Sequence, residues 1–169
     1  MKNILICLGL AVLLMVTLPA QAHRFSTSWL QLSSGEDHPA EFDWSWLVVE
    51  HDLAIVAPFL VDSLGQLLAS EQLLAQQASF GQLLTSLLAF NADCSLEVLP
   101  VVHLVREVYA GQQSVRIYGH GGCPLASLQQ VSMPSLFLKI NDHKVIVELT
   151  DTAQQGVLSQ DQAQWQLAN

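Results

Sequence analysis

The stretch Glu41-Phe42-Asp43-Trp44-Ser45-Trp46-Leu47-Val48-Val49 decides how this chain is expected to fold. Its large apolar side chains alternate with acidic or small polar ones, and a period of two is typical of a strand with one face in the core. The opposite face becomes apolar only at Leu47 and Val49. Trp44 and Trp46 fall on the apolar face, so the pattern predicts that they are core residues and not a ligand platform.

A second strand is predicted just before this one. Residues 25–32 are rich in aromatic and β-favouring side chains, and they end at the turn signal Ser33-Ser34-Gly35. Only a short segment separates the two strands, so we expect them to form a hairpin.

After Asp52 the pattern changes to a Leu, Ala and Gln-rich stretch that continues to Phe90 and is interrupted near Pro58 and near Asp62. This composition predicts helix. The β signal then returns in residues 96–109, 114–118, 135–140 and 144–149, and in two short segments, 156–159 and 164–167. The order of strands, helices and strands predicts an α+β fold, with an antiparallel sheet of about six to eight strands and the helical segment on one of its faces.

The first 22 residues have the three parts of a secretory signal peptide. Lys2 gives a positive start, residues 4–18 are apolar, and Ala20-Gln21-Ala22 is a small-x-small cleavage site. The apolar run is shorter than the ~20 residues that span a bilayer. We therefore predict cleavage before His23, which leaves residues 23–169 as a single domain in the periplasm or outside the cell.

Charge and cysteine content narrow the functional classes further. The chain has a net charge of −9, which becomes −10 without Lys2, and no Lys/Arg cluster offsets it. Such a surface repels nucleic acid, so we expect that the protein does not bind nucleic acid. Two cysteines, Cys94 and Cys123, follow the cleavage site. An even pair in an exported protein predicts a disulfide, and a pair of metal-binding thiolates is the alternative.

Several segments are similar to a known family when they are taken together. They are the start His23-Arg24-Phe25-Ser26-Thr27-Ser28-Trp29-Leu30, the strand that runs into Asp52-Leu53-Ala54, the Cys pair around a hairpin, and Gly156-Val157-Leu158-Ser159 before Trp165. They resemble the extracytoplasmic N-terminal domain of the HupE/UreJ-type hydrogenase and urease accessory proteins. The resemblance implies a non-enzymatic accessory domain that handles a metal or docks a membrane partner.

The chain differs from that family's pattern in two respects. Members usually continue into membrane helices, and this sequence ends at Asn169 without one, so transport is not implied. Many also carry a calcium-loop-like turn, whose positions 3, 6, 8 and 12 correspond here to Asp62, Gly65, Leu67 and Glu71. Positions 1 and 5 are leucines, where calcium needs oxygen ligands. We therefore expect a helix-starting turn that binds no calcium.

His23 is the strongest candidate for chemistry. Cleavage would give it a free α-amine beside its imidazole, and two such nitrogen donors suit copper or nickel. His51 and His103 are the candidates for a third ligand. The alternative is a frayed terminus with a solvated histidine.

The other polar motifs carry weaker signals. His120-Gly121-Gly122-Cys123 has the spacing of a metal corner, unless Cys123 is oxidised. Glu50-His51-Asp52 has the composition of an acid–base site, but in a strand its neighbours would point to opposite faces. Nucleophile-elbow, zinc-helix, phosphate-loop and dinucleotide motifs are absent from the sequence.

The leading hypothesis is an accessory domain with a membrane or metal-transport partner, and the alternatives are an exported hydrolase and a structural envelope protein.

Overall fold

The computed structural model describes residues 26–35, 38–91, 93–100 and 103–167. The predicted signal peptide, His23 and the first residue of the predicted first strand lie outside these ranges. The elements, in chain order, are β1 (Thr27–Ser34), β2 (Phe42–Val49), α1 (Glu50–Val56), α2 (Ser70–Leu74), α3 (Gln77–Leu87), β3 (Ala89–Phe90), β4 (Leu96–Val98), β5 (Val105–Tyr109), β6 (Gln112–Gly121), β7 (Gln130–Ser132), α4 (Pro134–Phe137), β8 (Lys144–Leu149), β9 (Gln154–Leu158) and β10 (Gln164–Gln166).

A seven-stranded sheet organises the domain and confirms the α+β prediction. Its strand order is β4-β6-β2-β1-β8-β9, and β5 pairs with the other half of β6. β1 and β2 form the expected antiparallel hairpin. β10, β7 and β3 form a second, small sheet, so the predicted closing pair of strands is divided between the two sheets.

The main sheet is not wholly antiparallel, because β1 and β8 run parallel. The predicted strand over residues 135–140 is wrong, because a short helix occupies the first half of this segment. Pro134 stands at the first helical position and starts α4, which buries Leu136 and Phe137. Short apolar runs fit a buried helix as well as a strand. The segment before β8, which includes Asn141-Asp142-His143, therefore connects a helix to a strand and does not join two strands of a hairpin.

Two other predicted elements are interrupted. The strand over residues 96–109 separates into β4 and β5, with Pro100 in the connection. Both pieces pair with β6, each with a different half. The helical segment after β2 is divided at the two places that the sequence predicts. Pro58 begins a short 3-10 helix, Pro58–Leu60, and residues 61–67, around Asp62, form a turn closed by an isolated bridge from Val61 to Leu67.

One apolar cluster joins the inward face of the main sheet to the helices. Trp44 and Trp46 lie in it with 1% and 0% exposure, as the alternation in β2 predicts. The helices contribute their apolar stripe, and Phe90 of the small sheet packs edge-on against Phe42 with ring centres 4.9 Å apart. The residues that the helices bury in the cluster are Leu53, Val56, Leu73, Phe80, Leu84, Leu87, Leu136 and Phe137.

Gly119 of β6 lies where the core leaves no room for a side chain. A Cβ atom at this position would overlap the Trp44 ring and the backbone oxygen of Glu97. We expect Gly119→Ala to lower the free energy of unfolding by about 1–3 kcal/mol, as overpacking does in close-packed cores. Urea unfolding measures it.

Gly81 in α3 provides the matched control, because an added Cβ there meets no atom within 4 Å. Gly81→Ala should raise the free energy of unfolding by about 0.5–1 kcal/mol, since alanine loses less backbone entropy than glycine in a helix. Equal effects of the two substitutions would contradict the packing described around Gly119.

Candidate functional site

Five polar or amphipathic side chains meet at the end of the main sheet where β1 begins. Ser26 precedes β1, Ser28 lies on β1, Trp46 on β2, Asp52 in α1, and His143 directly before β8. We call this set the buried network. Ser28, Asp52 and His143 are only 3%, 4% and 1% exposed. Ser28 is inward because it shares the parity of Leu30 and Leu32 along β1.

The hydrogen bonds of the buried network run in one direction. Trp46 Nε1 donates to Ser28 Oγ at 2.8 Å. Ser28 Oγ lies 2.7 Å from Nε2 of His143 and can donate to it. On the other side of the ring, Nδ1 of His143 contacts Ser26 Oγ and lies 3.5 Å from Asp52 Oδ2. Ser26 Oγ also donates to Asp52 Oδ2. Among the described residues, no buried side-chain nitrogen or oxygen lacks a hydrogen-bond partner, and those of the network are included.

Asp52 is held as a carboxylate by this arrangement. Burial raises the pKa of Asp52, but the hydrogen bonds with His143 and Ser26 and the electrostatic interactions with His143 and His51 together lower it by more than burial raises it. The net pKa lies below the ordinary value. The predicted placement of Glu50-His51-Asp52 in a strand is wrong. The triplet begins α1, and the helical turn directs Asp52 into the core while His51 stays exposed.

A small cleft adjoins the network on its solvent side. Its volume is about 160 Å³, and Ser26, His51, Asp52 and Asp142 are among the residues that line it. We call it the N-terminal cleft, because Ser26 is the first described residue of the chain. His51 borders this cleft, whereas His103 does not line it.

The buried network contains the residue types of a hydrolase triad, but its geometry differs. In a triad the nucleophile and the carboxylate bind opposite nitrogens of the histidine. Here Ser26 and Asp52 both approach Nδ1 of His143. Ser28 does face Nε2, but it is buried and accepts the Trp46 N–H. This arrangement suits a structural clasp between β1, α1 and the segment before β8.

The structure describes two of the three predicted metal ligands, His51 and His103. His51 is exposed in α1, and His103 is exposed in the turn before β5. His23 lies outside the described residues. Across residues 26–35, 38–91, 93–100 and 103–167, no group of three or more His, Cys, Asp or Glu side chains is placed to hold a metal ion. A copper or nickel site through His23 remains a prediction.

The predicted disulfide between Cys94 and Cys123 is confirmed, with Cα atoms 5.0 Å apart. It ties the loop after β3 to the end of β6, and both half-cystines are 6% exposed. His120 therefore has no thiolate neighbour at Cys123. Its Nδ1 lies 2.7 Å from Asp43 Oδ1 on the adjacent strand.

The Asp62 turn uses its carboxylate internally. Oδ1 of Asp62 accepts the backbone N–H groups of Leu64 at 2.8 Å and of Gln66 at 2.9 Å. Gly65 adopts a positive φ of 75°, which glycine tolerates. Leu60, at the first position of the calcium-loop pattern, is fully buried in the core, and Leu64, at the fifth, is exposed.

No protein-family model matches the chain, and a comparison with curated proteins found no match. The resemblance to the HupE/UreJ-type domain therefore stays a prediction. Within the described part of the chain, none of the helices has the length and apolar character needed to cross a membrane.

Proposed function

We propose that this chain is a non-enzymatic, exported accessory domain that holds a copper or nickel ion at its mature N-terminus or docks a membrane protein or metal-transport component. The observation that carries the metal-binding role is the position of Ser26. Its side chain is fixed by Asp52 and His143, and it borders a cleft that His51 also lines.

Chain length limits where the proposed terminus can be. Cleavage before His23 leaves three residues ahead of Ser26, and an extended chain spans at most about 3.6 Å per residue. This span is long enough for the His23 amine and imidazole to reach the N-terminal cleft from Ser26. They supply two nitrogen donors, and His51 supplies a third of the kind that copper and nickel prefer. Asp142 adds negative charge at the same cleft.

The non-enzymatic part of the proposal rests on the buried network. Its histidine has both ring nitrogens engaged, and the serine that faces Nε2 is buried. The accessory role and the membrane partner are proposed from the resemblance to the HupE/UreJ-type domain. The acidic charge of the chain and its disulfide agree with such a role.

The test compares exported protein that begins at His23 with a form that carries one additional residue before it. Intact mass first verifies the start. We expect the native form to bind Cu²⁺ or Ni²⁺ at least tenfold more tightly in calorimetric titration, because the extension removes the amine–imidazole chelate. The melting temperature without metal should be equal in the two forms.

Histidine variants locate the third ligand. His51→Ala should weaken the binding of Cu²⁺ or Ni²⁺, whereas His38→Ala, at another exposed histidine, should not. Calcium should leave the melting temperature unchanged in every form, because Asp62 is engaged by backbone N–H groups. Equal copper and nickel affinities for the native and extended forms would contradict the metal proposal.

A further inference from the structure

The outer face of the main sheet, opposite the core, carries an ordered set of polar side chains. The strand register aligns Glu148 of β8 with Gln31 of β1 and Ser45 of β2, and Ser45 lies opposite Tyr118 of β6. One row further along, Ser33, Asp43 and His120 are aligned in the same way. These side chains are partly exposed, so the face is accessible to solvent.

Hydrogen bonds fix several of these side chains in place. Glu148 accepts N–H groups from Gln31 and Gln155, each at 3.2 Å. These bonds and one from Trp29 lower the pKa of Glu148. Arg116 donates to Gln31 Oε1 at 2.9 Å and to Glu107 at 2.7 Å. The row therefore crosses the sheet from β9 to β5 and is preorganised before any ligand arrives.

A cavity of about 360 Å³ lies on this face beside the row. Its lining includes Gln31, Ser33, Asp43, Tyr118, His120 and Thr150. The volume falls in the range of small-molecule sites, about 300–1,000 Å³.

Several groups in this cavity have unused hydrogen-bonding capacity. Among the residues that the structure describes, the hydroxyls of Ser33 and Tyr118 have no hydrogen-bond partner. Asp43 and His120 bind each other through one atom each, which leaves Oδ2 and Nε2 for another molecule. Their side chains are 47% and 31% exposed. The cavity thus offers donors and acceptors together.

We propose that this cavity is a binding site for an uncharged saccharide. Each sugar hydroxyl both donates and accepts, which matches the mixture of hydroxyl, amide, carboxylate and imidazole groups in the lining. The Tyr118 ring supplies an aromatic surface for the apolar C–H face of a sugar ring. Asp43 and the chain's net charge of −9 disfavour an anionic ligand.

Nuclear magnetic resonance of the ¹⁵N-labelled protein beginning at His23 tests the proposal directly. The probes are maltotriose, cellotriose and triacetylchitotriose, with the anionic trigalacturonate as a counter-probe. We expect at least one neutral probe to shift the backbone amides of Tyr118, Gly119 and His120 saturably, with a Kd at or below about 1 mM. Trigalacturonate should leave them unchanged.

Two tyrosine variants provide the specificity control. Tyr118→Phe should weaken saccharide binding about five- to tenfold, the size of one lost hydrogen bond. Tyr109→Phe, which changes a tyrosine outside the cavity, should leave the Kd unchanged. The proposal is overturned if none of the neutral probes shifts these amides at about 10 mM, or if both variants weaken binding equally. Because metal is absent from this assay, neither outcome bears on the N-terminal metal proposal.

Discussion

His143→Ala is expected to lower the free energy of unfolding by about 3–5 kcal/mol. The substitution removes a side chain whose two ring nitrogens contact Ser26, Ser28 and Asp52. It leaves a buried carboxylate and a buried hydroxyl with too few partners, and breaking such a pair costs more than the pair itself contributes. In a domain of this size the melting temperature should fall by roughly 10–15 °C.

Two measurements separate this network effect from the simple loss of a histidine. His38→Ala removes an exposed histidine and should change stability by no more than about 0.5 kcal/mol.

Asp52→Asn tests whether the charge of the Asp52 carboxylate stabilises the fold. Because the pKa of Asp52 is lowered on folding, its ionisation stabilises the fold above the unfolded-state pKa of about 3.9, and this stabilisation is lost as the pH falls through the folded-state pKa.

The stability difference between wild type and Asp52→Asn should therefore be largest near neutral pH and shrink below about pH 4. Calorimetric or fluorescence melts between pH 3 and 7 provide the comparison. A difference that does not vary with pH, or a His143→Ala variant within about 1 kcal/mol of wild type, would show that the network does not stabilise the fold as described.

Removal of the Cys94–Cys123 disulfide is expected to cost about 2–5 kcal/mol. The bond closes a loop between residues separated by 29 positions, and on the loop-entropy model it restricts the unfolded chain. The double variant Cys94→Ala/Cys123→Ala leaves no odd thiol. Its urea unfolding should have a lower midpoint and a steeper denaturant dependence, because the unfolded state exposes more surface without the crosslink.

Dithiothreitol provides the internal control. It should lower the urea midpoint of the wild type to about that of the double variant, and it should not change the midpoint of the double variant. Non-reducing peptide mapping should recover the peptides of Cys94 and Cys123 as one linked species. Free thiols in freshly exported protein would contradict the disulfide. His120 and Cys123 would then again be candidate metal ligands.

The sequence predicted the fold where periodicity was strong and failed where topology decided the outcome. The alternation from Phe42 to Val48 specified both the strand and its buried face. Residues 135–140 have the same apolar character, yet Pro134 starts a helix there. The local pattern cannot show that β8 pairs parallel to β1. The relative direction of two strands depends on the path of the chain between them, which the residues of one strand do not encode.

The candidate site was less accessible to sequence reasoning. The disulfide was predicted from the even number of cysteines after the cleavage site. The buried network, by contrast, joins residues more than a hundred positions apart. One signal was present: Ser28 occupies an inward position of an otherwise apolar strand. A buried hydroxyl needs a partner, although the sequence could not identify His143 as that partner.

The central place of β1 has a consequence for the order of events during biosynthesis. Each β8 residue follows its β1 partner by 117 positions, as Gln31 and Glu148 show. At a synthesis rate of about 5–20 residues per second, β1 waits roughly 6–23 s for that partner. During this interval the nascent hairpin has an open edge and no clasp from His143, so the chain cannot complete its sheet before most of it has emerged. Under the proposed export, a late-closing topology of this kind would keep the early chain incompletely folded while it crosses the membrane.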